Sequence, residues 1–151
     1  MSYVDNSLLP NEQVAYRTRL SRIIFLAPAF LLALGFLFTL VAMEGVPDGY
    51  KVASLFIVPG LILGLARYIA FATSEFAVTN RRVIVKVGLL RRRTLELQLA
   101  KLEAISVDQS LIGRLFRYGN IVVTGSGGTK EPFKTISDPA EFRRATQAAT
   151  G

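Results

Sequence analysis

The chain contains no cysteine, no histidine and no tryptophan. Without a thiol or an imidazole it has no thiolate nucleophile, no imidazole base and no Cys/His metal site. Ser106, Ser110 and Ser126 therefore lack a histidine that could activate them. Glu75, Glu96 and Glu103 are spread over expected strand positions and form no acid pair. The reading is of a non-enzyme with no cofactor and no metal. The absence of cysteine fits a reducing compartment. Two further absences narrow the partners. The glycine-rich GSGGT at 125–129 is followed by Lys130, Glu131 and Pro132, so the Ser/Thr and helix of a phosphate-binding loop are missing. No aromatic-rich strand or recognition-helix pattern accompanies the net charge of +7, so nucleic acid is not the expected partner.

Charge is also missing from two long tracts. Ile23–Met43 runs for 21 residues without one charged side chain. As a helix it is about 31 Å long, which matches a hydrocarbon core of about 30 Å. It is longer than the 7–15 apolar residues of a cleaved leader, roughly as leaders run. Val52–Ala72 is a second such run, with Arg67 its only charge. Arg67 lies near the end of the run, beside Tyr68, where a guanidinium can snorkel to the headgroups. The segment 44–51, EGVPDGYK, is a tight reversal. The two runs read as a transmembrane hairpin, with Pro28 and Pro59 as kink positions.

Small residues recur within it. Gly60 and Gly64 form a G-x-x-x-G step, and Ala29 and Ala33 form a second small-x-x-x-small step. Two uses are open: packing the hairpin together, or meeting a second copy in a homo-oligomer.

What is abundant is positive charge outside the apolar runs. Residues 75–151 hold thirteen Lys and Arg against seven Asp and Glu. Arg17, Arg19 and Arg22 precede the first run, and six basic residues follow the second within about twenty positions, whereas the intervening loop has Lys51 alone. This bias places both termini in the cytoplasm. The expected organisation is a cytoplasmic N-terminal segment 1–22, transmembrane helices 23–43 and 52–72, the external turn 44–51, and a cytoplasmic domain 73–151.

That last domain reads as strands. Glu75–Thr79 and Arg82–Val87 alternate around a two-residue turn at Asn80 and Arg81. Gly88 begins a reversal, and Thr94–Leu99 alternates cleanly. Ala104–Asp108, Ile121–Thr124 and Pro132–Ile136 are further strands. Ser110–Tyr118 has helical spacing, and Gly119-Asn120 reads as a break. A final helix starts with Asp138 as cap, Pro139 at its first position and Glu141 completing a capping box. Phe142, Ala145 and Ala149 share its apolar face.

With these residues in view the chain resembles the bacterial pleckstrin-homology-like membrane proteins. The pattern is carried by Thr79, Arg81 and Arg82; by Gly88 with Arg91, Arg92 and Arg93; by Ile105, Val107, Gln109 and Ser110; by Gly113, Tyr118 and Gly119; and by Asp138, Pro139 and Phe142. An N-terminal L-L-P-x-E element, Leu8, Leu9, Pro10 and Glu12, belongs to it as well. The resemblance implies an α+β membrane protein: a helical hairpin followed by a strongly bent antiparallel sheet or partial barrel, closed by a C-terminal helix. It supplies no catalytic residues. It implies an interaction or scaffold module at the inner face of a bacterial cytoplasmic membrane, or an accessory subunit of a transport or secretion assembly. The candidate contact surface for anionic headgroups or a protein partner is a basic rim of Arg81, Arg82, Lys86, Arg91, Arg92 and Arg93. The first strand turn is too short for the long basic loop that grips an inositol phosphate in eukaryotic relatives.

Overall fold

The computed structural model describes residues 3–88 and 93–151. Two antiparallel sheets carry the strands. In the first, β1 (Val14–Thr18), β2 (Glu75–Thr79), β3 (Arg82–Val87) and β4 (Arg93–Gln98) lie in sequence order. In the second, β5 (Leu102–Asp108), β6 (Tyr118–Gly125) and β7 (Lys130–Ser137) do the same. The expected single bent sheet is thus two sheets. They meet at one corner, where Leu20 bridges Ile136 and Ser137 N–H donates to Arg19 O at 3.0 Å. Between β4 and β5 there is only a short 3-10 turn, Leu99–Lys101, and no ladder, so the barrel is not closed.

The central strands of the first sheet, β2 and β3, are buried on both faces. Phe76, Val78, Val83 and Val85 point toward the second sheet and are fully buried. Phe76 meets Phe133 of β7 edge to face, with ring centroids 5.9 Å apart. Ala77 and Ile84 point the other way and are equally buried, because a short helix, α1 (Tyr3–Ser7), lays Val4 over them. The residues before the first apolar run are therefore an edge strand and a lid for the sheet, not a separate tail. They belong to one compact unit with the remaining strands. β1 went unread in the sequence because its partner β2 lies beyond the whole apolar hairpin.

The strand boundaries shift modestly. Gly119-Asn120 does not break the chain. β6 runs through it, and the irregularity is absorbed as a register shift between Gly119 and Ile121. The last helix, α5 (Pro139–Thr150), packs on β1, β2, β5 and β6 and buries Phe142 completely. Phe142 meets the Tyr16 ring at 6.4 Å. The capping box is not made. Asp138 takes the left-handed conformation (φ 46°) where a cap is normally extended, so its side chain makes no capping bond. Glu141 pairs instead with Arg144.

The second compact unit, Ile24–Ala70, holds α2 (Leu26–Met43) and most of α3 (Gly49–Thr73). The first run enters α2 through a 3-10 turn, Arg22–Phe25, and the connection shortens to Glu44–Asp48. Both helices are long and apolar enough to cross a membrane. Only 11% and 6% of their most apolar stretches are buried.

Candidate functional site

The residues expected to form one basic rim divide between the two ends of β3. Arg81 and Arg82 stand at its start, in the turn after β2. Lys86 stands near its end, and Arg93 faces Val87 across the β3–β4 ladder. Five residue steps of strand separate the two groups, about 17 Å. Arg91 and Arg92 lie outside the described residues.

The Lys86 and Arg93 end is the one joined to the apolar helices. α3 ends at Thr73, Ser74 is buried, and β2 begins at Glu75. Gly88, with φ +80°, donates its N–H to Ser74 Oγ at 3.4 Å. The β3–β4 connection therefore starts beside the point where the chain comes off α3. The other connection to an apolar run leaves from the same end, since Thr18 pairs with Phe76 and the chain runs on from Thr18 to Arg22 and the first apolar run. Lys86 Nζ stands 5.0 Å over the Tyr3 ring. Arg93 is half-exposed, ion-paired with Glu131 and 5.8 Å over the Phe133 ring.

Arg82 is held differently. Its guanidinium donates from Nε to Glu12 Oε1 and from Nη2 to Glu12 Oε2, both at 3.0 Å. Nη2 also donates to Ser7 O at 2.6 Å, and Nη1 donates to Glu96 Oε2 at 2.7 Å. The Glu12 side chain is fully buried and accepts from Thr79 Oγ at 2.7 Å and Leu9 N–H at 2.8 Å. Burial alone would raise the Glu12 pKa. The hydrogen bonds from Arg82, Leu9 and Thr79, with the Arg82 charge, outweigh it and hold the carboxyl below its ordinary value. Arg82 is raised by its hydrogen bond to Glu12. This fork ties the N-terminal segment to the β2–β3 turn. Sequence reasoning noted both ends of it, Glu12 and Arg82, but had no signal joining them across the apolar hairpin. Arg81 is exposed and makes no ion pair among the described residues.

The small residues of the hairpin also divide. Gly60 is buried, and a Cβ there would meet Leu32 at 2.9 Å. Gly64 is looser, with Pro28 at 3.6 Å. Ala29 and Ala33 are exposed and take no part in the seam between α2 and α3. Gly35 against Ile57 and Gly49 against Ala42 supply the close approaches there.

An open recess of about 330 Å³ lies between β5 and α5, lined by Leu102, Ile105, Arg143 and Thr146. Among the described residues no three Asp or Glu side chains are grouped to hold a metal.

The described strands thus form two sheets that are bridged at Leu20 and Ile136 and packed against a C-terminal helix. Residues 22–150 match the family model of the bacterial PH domain, and the chain belongs to that family. The family points to a module for protein or lipid interaction. Neither the comparison with curated proteins nor that with solved structures gave a match.

Proposed function

We propose that this chain is a non-catalytic, membrane-anchored interaction module of the bacterial cytoplasmic membrane. α2 and α3 cross the bilayer as a hairpin, both termini are cytoplasmic, and the two-sheet domain contacts anionic headgroups or a protein partner. The observation that carries this reading is the exposure of two long apolar helices that connect to one end of a basic β-domain. Lys86 and Arg93 stand at that end, Arg91 and Arg92 precede Arg93 in the sequence, and each basic side chain near an anionic surface contributes about 1 kcal/mol. The tether holds these contacts at high effective concentration, so no deep headgroup pocket is needed. Arg82 serves the fold, and Arg81 is left for a contact on the opposite end. The positive charge flanking both helices supports the orientation.

Alkaline extraction of cell membranes tests the anchor, and protease digestion of inverted vesicles tests the side. The chain should stay with the lipid, and the 79–151 region should be cut only in inverted vesicles. Release into the soluble fraction, or digestion from the external face, refutes the proposal. Changing Lys86, Arg91, Arg92 and Arg93 to Glu should leave the anchor intact and reduce cross-linking to anionic lipid or to partners. Unchanged cross-linking removes these residues from the contact.

A further inference from the structure

Among the described residues of the β-domain, the largest apolar exposure is a single turn. α4 (Leu111–Leu115) and Phe116 present Leu111, Ile112, Leu115 and Phe116 at 84%, 60%, 77% and 59% exposure. These equal or exceed the exposures of Leu37 (53%) and Leu61 (58%) in the apolar helices. A soluble surface scatters such residues singly, and a cluster marks a contact.

The exposure is built in. Gly113 is the one buried residue of α4, and a Cβ there would lie 2.6 Å from Tyr118 O. Ser110 Oγ accepts from Gly113 N–H at 3.0 Å, and Gln109 Nε2 donates to Tyr118 O at 3.1 Å. Arg117 takes φ +51° to bring the chain back into β6. The inward side of the turn is thus taken by a glycine, and the large side chains stand exposed.

Three observations point to lipid as the cover. Arg114 and Arg117 flank the apolar cluster and make no ion pair among the described residues, leaving cations beside it for anionic headgroups. The turn is laterally close to the route into the first apolar run: Tyr118 pairs with Ser137, whose N–H donates to Arg19 O, two strand spacings or about 10 Å in all. Leucine, isoleucine and phenylalanine beside arginine are the composition of interfacial segments.

We infer that α4 is a membrane-insertion turn, which places Leu111, Ile112, Leu115 and Phe116 below the headgroups of an anionic bilayer with Arg114 and Arg117 at the phosphates. This rests on the membrane-anchored reading and adds a second point of attachment, one that fixes how the β-domain stands on the membrane.

The chain has no tryptophan, so single substitutions report one site each. Full-length Leu115→Trp, Leu37→Trp and Ala100→Trp are reconstituted into anionic vesicles containing brominated lipid. Ala100 is exposed at the Arg81 end of the sheet, where Leu99 N–H bonds Arg81 O. The expected result is quenching of Leu37→Trp and of Leu115→Trp, the latter several-fold above Ala100→Trp and weaker in neutral vesicles. Quenched Leu37→Trp with Leu115→Trp no different from Ala100→Trp overturns the insertion while the anchor stands. Unquenched Leu37→Trp overturns the anchor and the insertion together. Blue-shifted but unquenched Leu115→Trp shows a protein cover and overturns the lipid assignment. Equal quenching in neutral vesicles overturns the role given to Arg114 and Arg117.

Discussion

Cutting the Glu12–Arg82 fork should loosen the β-domain more than any surface charge change. Arg82 makes two bonds to Glu12, one to Ser7 O and one to Glu96, and its side chain is 15% exposed. Arg82→Ala leaves a buried carboxylate facing only Thr79 and Leu9. Removing one partner of a buried pair costs about 3–5 kcal/mol, and this site belongs in that range because the Glu12 side chain is fully buried. Arg82→Lys keeps the charge but not the planar fork, and should recover only part of the loss. Glu12→Leu with Arg82→Met removes both charges and should be far milder than either single change, since an apolar pair bears no desolvation cost. The assay is denaturant unfolding of the full chain in mild detergent, followed by near-ultraviolet circular dichroism. Hydrogen exchange of the β2 and β3 amides locates the change. If the cycle is additive within about 0.5 kcal/mol, the limit for independent sites, Glu12 and Arg82 are not coupled.

The same pair sets a pH dependence. The folded pKa of Glu12 lies below its unfolded value of about 4.3, so its stabilisation is complete above that value. It is lost as pH falls through the folded value, and Glu12→Gln should show a smaller acid loss than wild type in denaturation midpoints. Phe142→Ala empties the contact of α5 with Tyr16 and should cost about 3–5 kcal/mol, read as a lowered unfolding midpoint. Phe142→Asp should be worse, because it adds a buried charge. In the hairpin, Gly60→Leu should disturb the α2–α3 seam, where Leu32 leaves no room, and lower the detergent concentration at which helicity is lost. Gly64→Leu meets only Pro28 and should be tolerated there, so a changed cross-linking pattern in that variant would report contact between copies.

Much of the fold could be read because its signals are local. Glu75–Thr79 and Arg82–Val87 alternate, and their register follows from a two-residue turn whose N–H groups at Arg81 and Arg82 bond Thr79 Oγ. The two apolar helices declare themselves by length alone. What escaped the sequence is non-local. β1 finds its partner only after the apolar hairpin is threaded, and Val4 covers Ala77 and Ile84 from more than seventy positions away. The rim was legible as composition but not as a surface. Strand β3 puts its two clusters at opposite ends, and no period in the sequence says so.

That division bears on how a site can be sought in such a chain. Most of the motif residues have a job inside the fold. Thr79 and Glu12 hold Arg82, Gln109 and Ser110 hold the α4 turn, and Gly113 lets it sit on the Tyr118 carbonyl. A Cβ on Gly119 would meet Asp108 O at 2.7 Å and Pro139 at 3.1 Å, so that glycine lets the start of α5 approach β6. A motif built this way defines the frame and leaves its partner unspecified. Among the described residues, the side chains that the frame does not use include Arg81 and the apolar crown of α4, whereas Arg93 is ion-paired with Glu131. Between these the physics differs. Arginine contacts at an exposed rim weaken with salt, with a screening length of about 8 Å at physiological ionic strength, while burial of four apolar side chains does not. Raising the salt should therefore release headgroup contacts at Arg93 and its neighbours but leave Leu115→Trp quenched once inserted. Loss of both signals in parallel would mean that α4 rides on the arginines and has no hold of its own.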